Sequence, residues 1–127
     1  MQAQNDSRIG KDLVAASAVP LVLAILDEGE SYGYAILKRI DELSGGALEW
    51  TDGMLYPLLH RLDRLGYVEA RWHGQEGERR RRYYRVTQAG RRALGEQRRQ
   101  WEAVSDALRN AWHASQLPPG ALKAAEA

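Results

Sequence analysis

Apolar residues fill most of positions 13–26, from Leu13 and Val14 through Val19, Leu21, Val22 and Leu23 to Ile25 and Leu26, and the run stops at the polar, turn-rich DEGES of 27–31. So little polar surface predicts a buried helix, with Pro20 marking either its true start or a kink. The pattern then loosens. Ile36, Leu37, Ile40 and Leu43 recur three and four apart, with Lys38, Arg39, Asp41 and Glu42 between them. That period belongs to a half-buried helix, capped by Ser31 and ended by Gly45 and Gly46. A third amphipathic helix is predicted from a Thr51 cap to Leu65, with Leu55, Leu58, Leu59, Leu62 and Leu65 as its stripe and Gly66 as its stop.

After Gly66 the period becomes two. Val68, Ala70 and Trp72 alternate with Glu69, Arg71 and His73, and beyond the turn GQEGE comes a second run, RRRYYRV, at 80–86. The pair reads as a hairpin. Thr87 then caps a last helix reaching about Trp112, in which Leu94, Gln97, Trp101, Val104, Leu108 and Ala111 recur in steps of three and four. Such a seam suits a helix that packs along another helix. The remaining SQLPPGALKAAEA is small and contains proline and glycine, so a loosely ordered tail is expected.

Three helices followed by a hairpin are the layout of a winged helix-turn-helix. The expected fold class is therefore mainly α with a small β-hairpin, carrying a long C-terminal dimerisation helix. The expected segments are a flexible start at 1–12, the winged domain at 13–86, the dimerisation helix at 87–113 and the tail at 114–127.

Composition narrows the chemistry. The 127 residues are the length of one compact domain, and no cysteine is present, which excludes disulfide scaffolds, cysteine-ligated zinc and thiol catalysis. The polar start and the short apolar run at 19–26 fit neither a signal peptide nor a membrane span, so a cytoplasmic protein without membrane contact is expected. His60, His73 and His113 fall on different elements with no partner at a catalytic or metal-binding spacing, and no glycine-rich phosphate loop is present. No enzyme activity, cofactor or metal is expected. The net charge is only +1, yet Arg71, Arg79, Arg80, Arg81, Arg82, Arg85, Arg91 and Arg92 crowd one region, opposed locally by Glu76 and Glu78. A basic patch on a nearly neutral chain points to a polyanion.

In a helix-turn-helix the second helix of the motif enters the major groove of double-stranded DNA. Here that helix is the third, and its leucines are committed to the core, leaving Thr51, Gly53, Tyr56, Pro57, His60 and Arg64 facing outward. Its N-terminus offers unpaired N–H groups to a phosphate, and Gly53 keeps that end slim. The arginines at the hairpin, Arg79, Arg80, Arg81 and Arg82, suit a wing that reaches a phosphate chain or a minor groove. Each residue also has a plainer reading: Tyr56 packed over the second helix, Pro57 marking a late helix start, the arginines as a solvated face. Two binding modules without duplex specificity stay open beside the DNA reading, namely a winged-helix adapter for another protein and an RNA-binding winged helix.

The segments LVLAILDEGESYGYAILKRIDELSGG, MLYPLLHRLDRLGYVEARW and RRYYRVTQAGRRAL, in this order, resemble the PadR family of bacterial transcriptional regulators over roughly residues 13–112. The resemblance implies a homodimeric winged helix that binds palindromic promoter sites, usually as a repressor, and in many members is released by a small molecule. It also implies DNA contacts from Tyr32 and Lys38. Two features depart from the pattern: the acidic Asp52 at the start of the reading helix, and a wing unusually rich in arginine.

The seam residues Leu94, Trp101, Val104, Leu108 and Ala111 are the expected dimer interface. Trp101 either fills the core of that interface or stacks a small aromatic ligand between subunits. By resemblance to drug-sensing members of the family, Leu13, Ser17 and Ser105 join Trp101 as candidate effector-binding residues.

Overall fold

The computed structural model describes residues 9–74 and 79–116. The chain runs α1 (Lys11–Glu28), β1 (Ser31–Tyr32), α2 (Gly33–Ser44), α3 (Asp52–Arg64), β2 (Val68–His73), β3 (Arg81–Val86) and α4 (Gln88–Gln116). Of the segments expected to be loose, residues 1–8 and 117–127 lie outside the described residues, as do Glu76 and Glu78 of the wing turn.

The stripes of α2 and α3 meet as their spacing predicts. Ile36 and Ile40 of α2 and Leu55, Leu58, Leu59 and Leu62 of α3 are buried together with Val22, Leu23, Ile25 and Leu26 of α1. Both stripes end one residue early: Leu43 and Leu65 are exposed, Leu65 by 54%. Leu65 is already the C-cap, and the chain turns there through Gly66 at φ 79°. The Gly66 N–H donates to the Asp63 carbonyl and the Tyr67 N–H to that of Leu62, which closes α3 in a Schellman motif.

Of the expectations about helix ends, the Ser31 cap and the proline starts are corrected, and the Thr51 cap is met in position. Ser31 does not cap α2. With Tyr32 it forms β1, which pairs antiparallel with β3 (Ser31 opposite Tyr84, Tyr32 opposite Tyr83), and Tyr32 is the N-cap without a side-chain bond. The hairpin is thus a three-stranded sheet in the order β1-β3-β2. Pro20 and Pro57 both lie inside their helices, so neither marks a helix start. Thr51 is the N-cap of α3, but its hydroxyl makes no capping bond. Nor is α1 buried along its length: Val22, Leu23, Ile25 and Leu26 are buried and Ala18, Val19 and Leu21 pack against the core, while Leu13, Ala15 and Ala16 are exposed.

The sheet alternates. Val68, Tyr84 and Val86 face the core, and Glu69 opposes Arg85 on the other face. The start of α4 is fixed to this sheet by Thr87, as its capping role predicts. Its Oγ1 accepts from the Gly90 N–H at 3.1 Å and donates to the Gly66 carbonyl at 2.6 Å, while its N–H donates to the Tyr67 carbonyl at 3.0 Å. Gly90 and Leu94 are buried beyond it. The compact winged unit consequently runs to Leu94, and α4 from Gly95 onward forms a second unit. Leu94, placed on the dimer seam by its spacing, is a core residue of the winged unit, only 6% exposed. The later seam positions Val104, Leu108 and Ala111 are exposed and Trp101 is half-buried.

Candidate nucleic-acid interface

The arginine cluster is resolved by what each guanidinium meets. Arg85 donates to Glu69 Oε2 through Nε at 3.0 Å and Nη2 at 2.8 Å. Arg71 Nε lies 3.1 Å from Glu30, and Arg91 Nε lies 3.2 Å from Asp27. Three members of the expected basic patch are therefore neutralised by carboxylates from elsewhere in the fold. None of Arg79, Arg80, Arg81 and Arg82 is within ion-pair distance of a described carboxylate, and all four are exposed. Of the expected patch, the four wing arginines and Arg92 on α4 remain outside any ion pair among the described residues.

That wing faces α3 across an open groove of about 630 Å³, lined by Tyr32, Gly33, Tyr34, Tyr56, His60, Trp72, Arg79, Arg80, Arg81, Arg82 and Tyr84. Tyr32, Tyr56, His60 and the four arginines, proposed from sequence for one surface, thus share one concavity. Gly33, Tyr34, Trp72 and Tyr84 were not foreseen there. Gly33 opens α2 and is buried against Tyr56: a Cβ at this position would collide with the Tyr56 hydroxyl and sit 2.9 Å from its Cζ. The phenol of Tyr56 on α3 lies across the start of α2 because Gly33 has no side chain. The YGY at 32–34 signals this contact, a glycine between two aromatics where a helix begins.

Thr51, Gly53, Pro57 and Arg64 are exposed on α3 outside the groove lining. A Cβ on Gly53 would meet only Thr51 Oγ1, at 3.7 Å, so nothing inside the chain requires glycine there. Lys38 stands apart from the groove, in a surface concavity shared with Glu28, Glu30, Arg39 and Glu42. Of the candidate effector residues, Ser17 turns its hydroxyl back to the Leu13 carbonyl at 2.7 Å, Leu13 is exposed on α1, and Trp101 and Ser105 are half-buried on α4.

On the outer face of the sheet Glu30 holds both Arg71 and His73, the latter at 3.2 Å. Partial desolvation of Glu30 opposes its charge, but the Arg71 and His73 contacts outweigh it and hold the carboxyl below the ordinary glutamate range. The hydrogen bonds from Arg39 do the same for Glu28. Because both folded-state values are depressed, their stabilisation is fully present above the ordinary glutamate range and is lost as pH falls through the depressed values. The urea midpoint of the wild type is expected to drop in acid, with a shallower acid limb in Glu30→Gln. Parallel limbs would show that the Glu30 network contributes nothing.

Three helices, a wing whose arginines meet no described carboxylate and an aromatic groove between α3 and that wing fit one class: a winged-helix regulator. The family model of the PadR-like transcriptional regulators matches residues 22–96, and the chain belongs to that family. Its members are transcriptional regulators rather than enzymes. Among solved structures, a transcriptional regulator from Clostridium thermocellum is similar at 29% identity and a TM-score of 0.72, over 79% of this chain and 97% of that one. A PadR family regulator from Eggerthella lenta is similar at 32% identity and a TM-score of 0.69, over 80% and 86%. The transcriptional regulator Rv3488 of Mycobacterium tuberculosis is 44% identical over 64 residues, 50% of this chain and 59% of the relative. No described helix is long and apolar enough to cross a membrane.

Proposed function

We propose that a homodimer of this chain represses transcription by binding a palindromic promoter site in cytoplasmic, nucleoid DNA, with α3 in the major groove and the wing on the adjoining backbone. The convergence of Tyr56 and His60 with the four wing arginines in one groove carries this reading. The side chains divide the work. Arg79, Arg80, Arg81 and Arg82, with Thr51, Gly53, Pro57 and Arg64 at the backbone-facing surface of α3, hold phosphate and register; Tyr32 and Lys38 contribute from α2 and its approach. Tyr56 and His60, at the centre of α3, read base edges.

One such module spans few base pairs, and two-fold pairing places two reading helices about one DNA turn, roughly 34 Å, apart. Trp101, Val104, Leu108 and Ala111 supply the seam, beginning after Leu94, whose side chain is already in the core. The exposed apolar residues of the first half of α1 support the same pairing, since a surface of this kind calls for a partner. A small aromatic effector seated against Trp101, with Leu13, Ser17 and Ser105 as neighbours, would alter the spacing of the two reading helices and so release the site.

Selection of bound duplexes from a random pool tests the reading. Enrichment of a two-fold symmetric sequence is expected. Tyr56→Phe and His60→Ala should shift which bases are enriched, by about 1–3 kcal/mol of discrimination at the affected position, more than they lower overall affinity. Enrichment of no sequence, or preference for RNA, would contradict it.

A further inference from the structure

Seven arginines of the winged unit fall into two groups by their neighbours. Arg39, Arg71, Arg85 and Arg91 each meet a carboxylate, Arg39 through a two-pronged contact with Glu28 at 3.0 and 2.8 Å. Three of the wing arginines meet rings instead. The Arg81 guanidinium carbon lies 4.5 Å from the centroid of Tyr32, those of Arg80 and Arg82 each lie 5.8 Å from Trp72, and that of Arg82 lies 5.9 Å from Tyr84.

The distinction is physical. A carboxylate orients a guanidinium and cancels its charge. An aromatic face orients it through the ring quadrupole and occupies one face of the plane, leaving the charge and the in-plane N–H donors for another acceptor. A guanidinium seated on a ring also loses less freedom when it meets a phosphate. The strand register explains why the seats are where they are. Tyr32 opposes Tyr83 across the β1–β3 pair, and Arg81 lies two residues before Tyr83, so the Tyr32 ring and Arg81 are diagonal neighbours on one face. Trp72 opposes Arg82 directly on the other. Both seats are braced or placed for this use: the Tyr32 ring packs on Tyr83 at 5.1 Å, which receives His73 at 4.4 Å, while Trp72 stands 55% exposed in the groove.

We propose that Tyr32 and Trp72 are positioning residues for DNA binding, whose ring faces hold Arg81 on one side of the wing and Arg80 and Arg82 on the other with their charge free for phosphate. The inference rests on the duplex reading of the groove. It gives Tyr32 a role through Arg81 and gives Trp72, absent from the sequence-based set, a place in the interface.

Duplex affinity measured in mutant cycles tests it. Tyr32→Phe keeps the ring and is expected to bind within about twofold of wild type, whereas Tyr32→Leu should weaken binding about fivefold to tenfold, the scale of a cation–ring contact. In an Arg81→Ala background Tyr32→Leu should cost nothing further. Trp72→Phe and Trp72→Leu should behave likewise against the Arg80→Ala, Arg82→Ala pair, and the exposed Trp72 can be changed without touching the core. Equal losses for Tyr32→Phe and Tyr32→Leu would mean that the hydroxyl meets DNA directly. Losses that persist without the arginines would also overturn the proposal. Either result, with wild type still binding duplex, leaves the groove reading intact; failure of wild type to bind would remove both.

Discussion

Gly90→Ala is expected to destabilise the winged unit by about 2–3 kcal/mol, toward the upper end of what overpacking costs. The added Cβ would collide with the Tyr67 carbonyl oxygen and stand 2.7 Å from Val86 Cγ2 and 3.0 Å from the Tyr67 carbonyl carbon. No rotamer relieves a clash between a Cβ and backbone, so the start of α4 must move. That movement strains the hydrogen bonds through which Thr87 ties α4 to Gly66 and Tyr67. Alanine gains about 1 kcal/mol over glycine in helix propensity, less than the expected loss. Gly95, five residues on in the same helix, is the control: a Cβ there meets nothing within 4 Å, so Gly95→Ala should raise stability by up to about 1 kcal/mol. Thermal melts of the two variants should move in opposite directions. Equal and same-signed shifts would refute the close approach at Gly90.

Removing Arg80 and Arg81 together should weaken binding to every duplex about a hundredfold, taking about 1.5 kcal/mol for each charge-assisted contact. Both side chains are exposed and neither pairs with a described carboxylate, so the fold should be nearly unchanged. The diagnostic quantity is the salt dependence. Each lost phosphate contact should reduce the slope of log affinity against log salt by about 0.9, or about 2 for the pair. Specific and scrambled duplexes should lose affinity alike, because phosphate contacts carry no sequence information. An unchanged slope would remove the wing from the interface. Arg71→Ala, by contrast, breaks an ion pair with Glu30 and should leave the slope as it is.

Much of this architecture was legible in the chain because it is periodic or terminal. The stripes of α2 and α3, the Gly66 stop and the Thr87 cap are local signals, decided by residues within one or two turns of each other. What escaped was decided at a distance. β1 is two residues long and has no period of its own; its partner strand lies some fifty residues away, so Ser31 looked like a cap. Arg71 finds Glu30 and Arg91 finds Asp27 across 41 and 64 positions, pairings that no charge run reveals. Leu94 continues the spacing of the seam, yet closes the core beneath Gly90. In the groove, Tyr56, His60 and the arginines were recognisable as outward-facing or charged. Gly33 contributes only the absence of a side chain, and Trp72 was assigned to the apolar alternation of its strand, which fades toward the wing tip.

The measurement that bears most directly on the central claim is a titration of the purified protein with a duplex from its own upstream promoter, beside a scrambled duplex, at two salt concentrations. Tight, selective binding that weakens steeply as salt rises is the expected result. Equal binding to both duplexes, or none from a folded and dimeric sample, would contradict it.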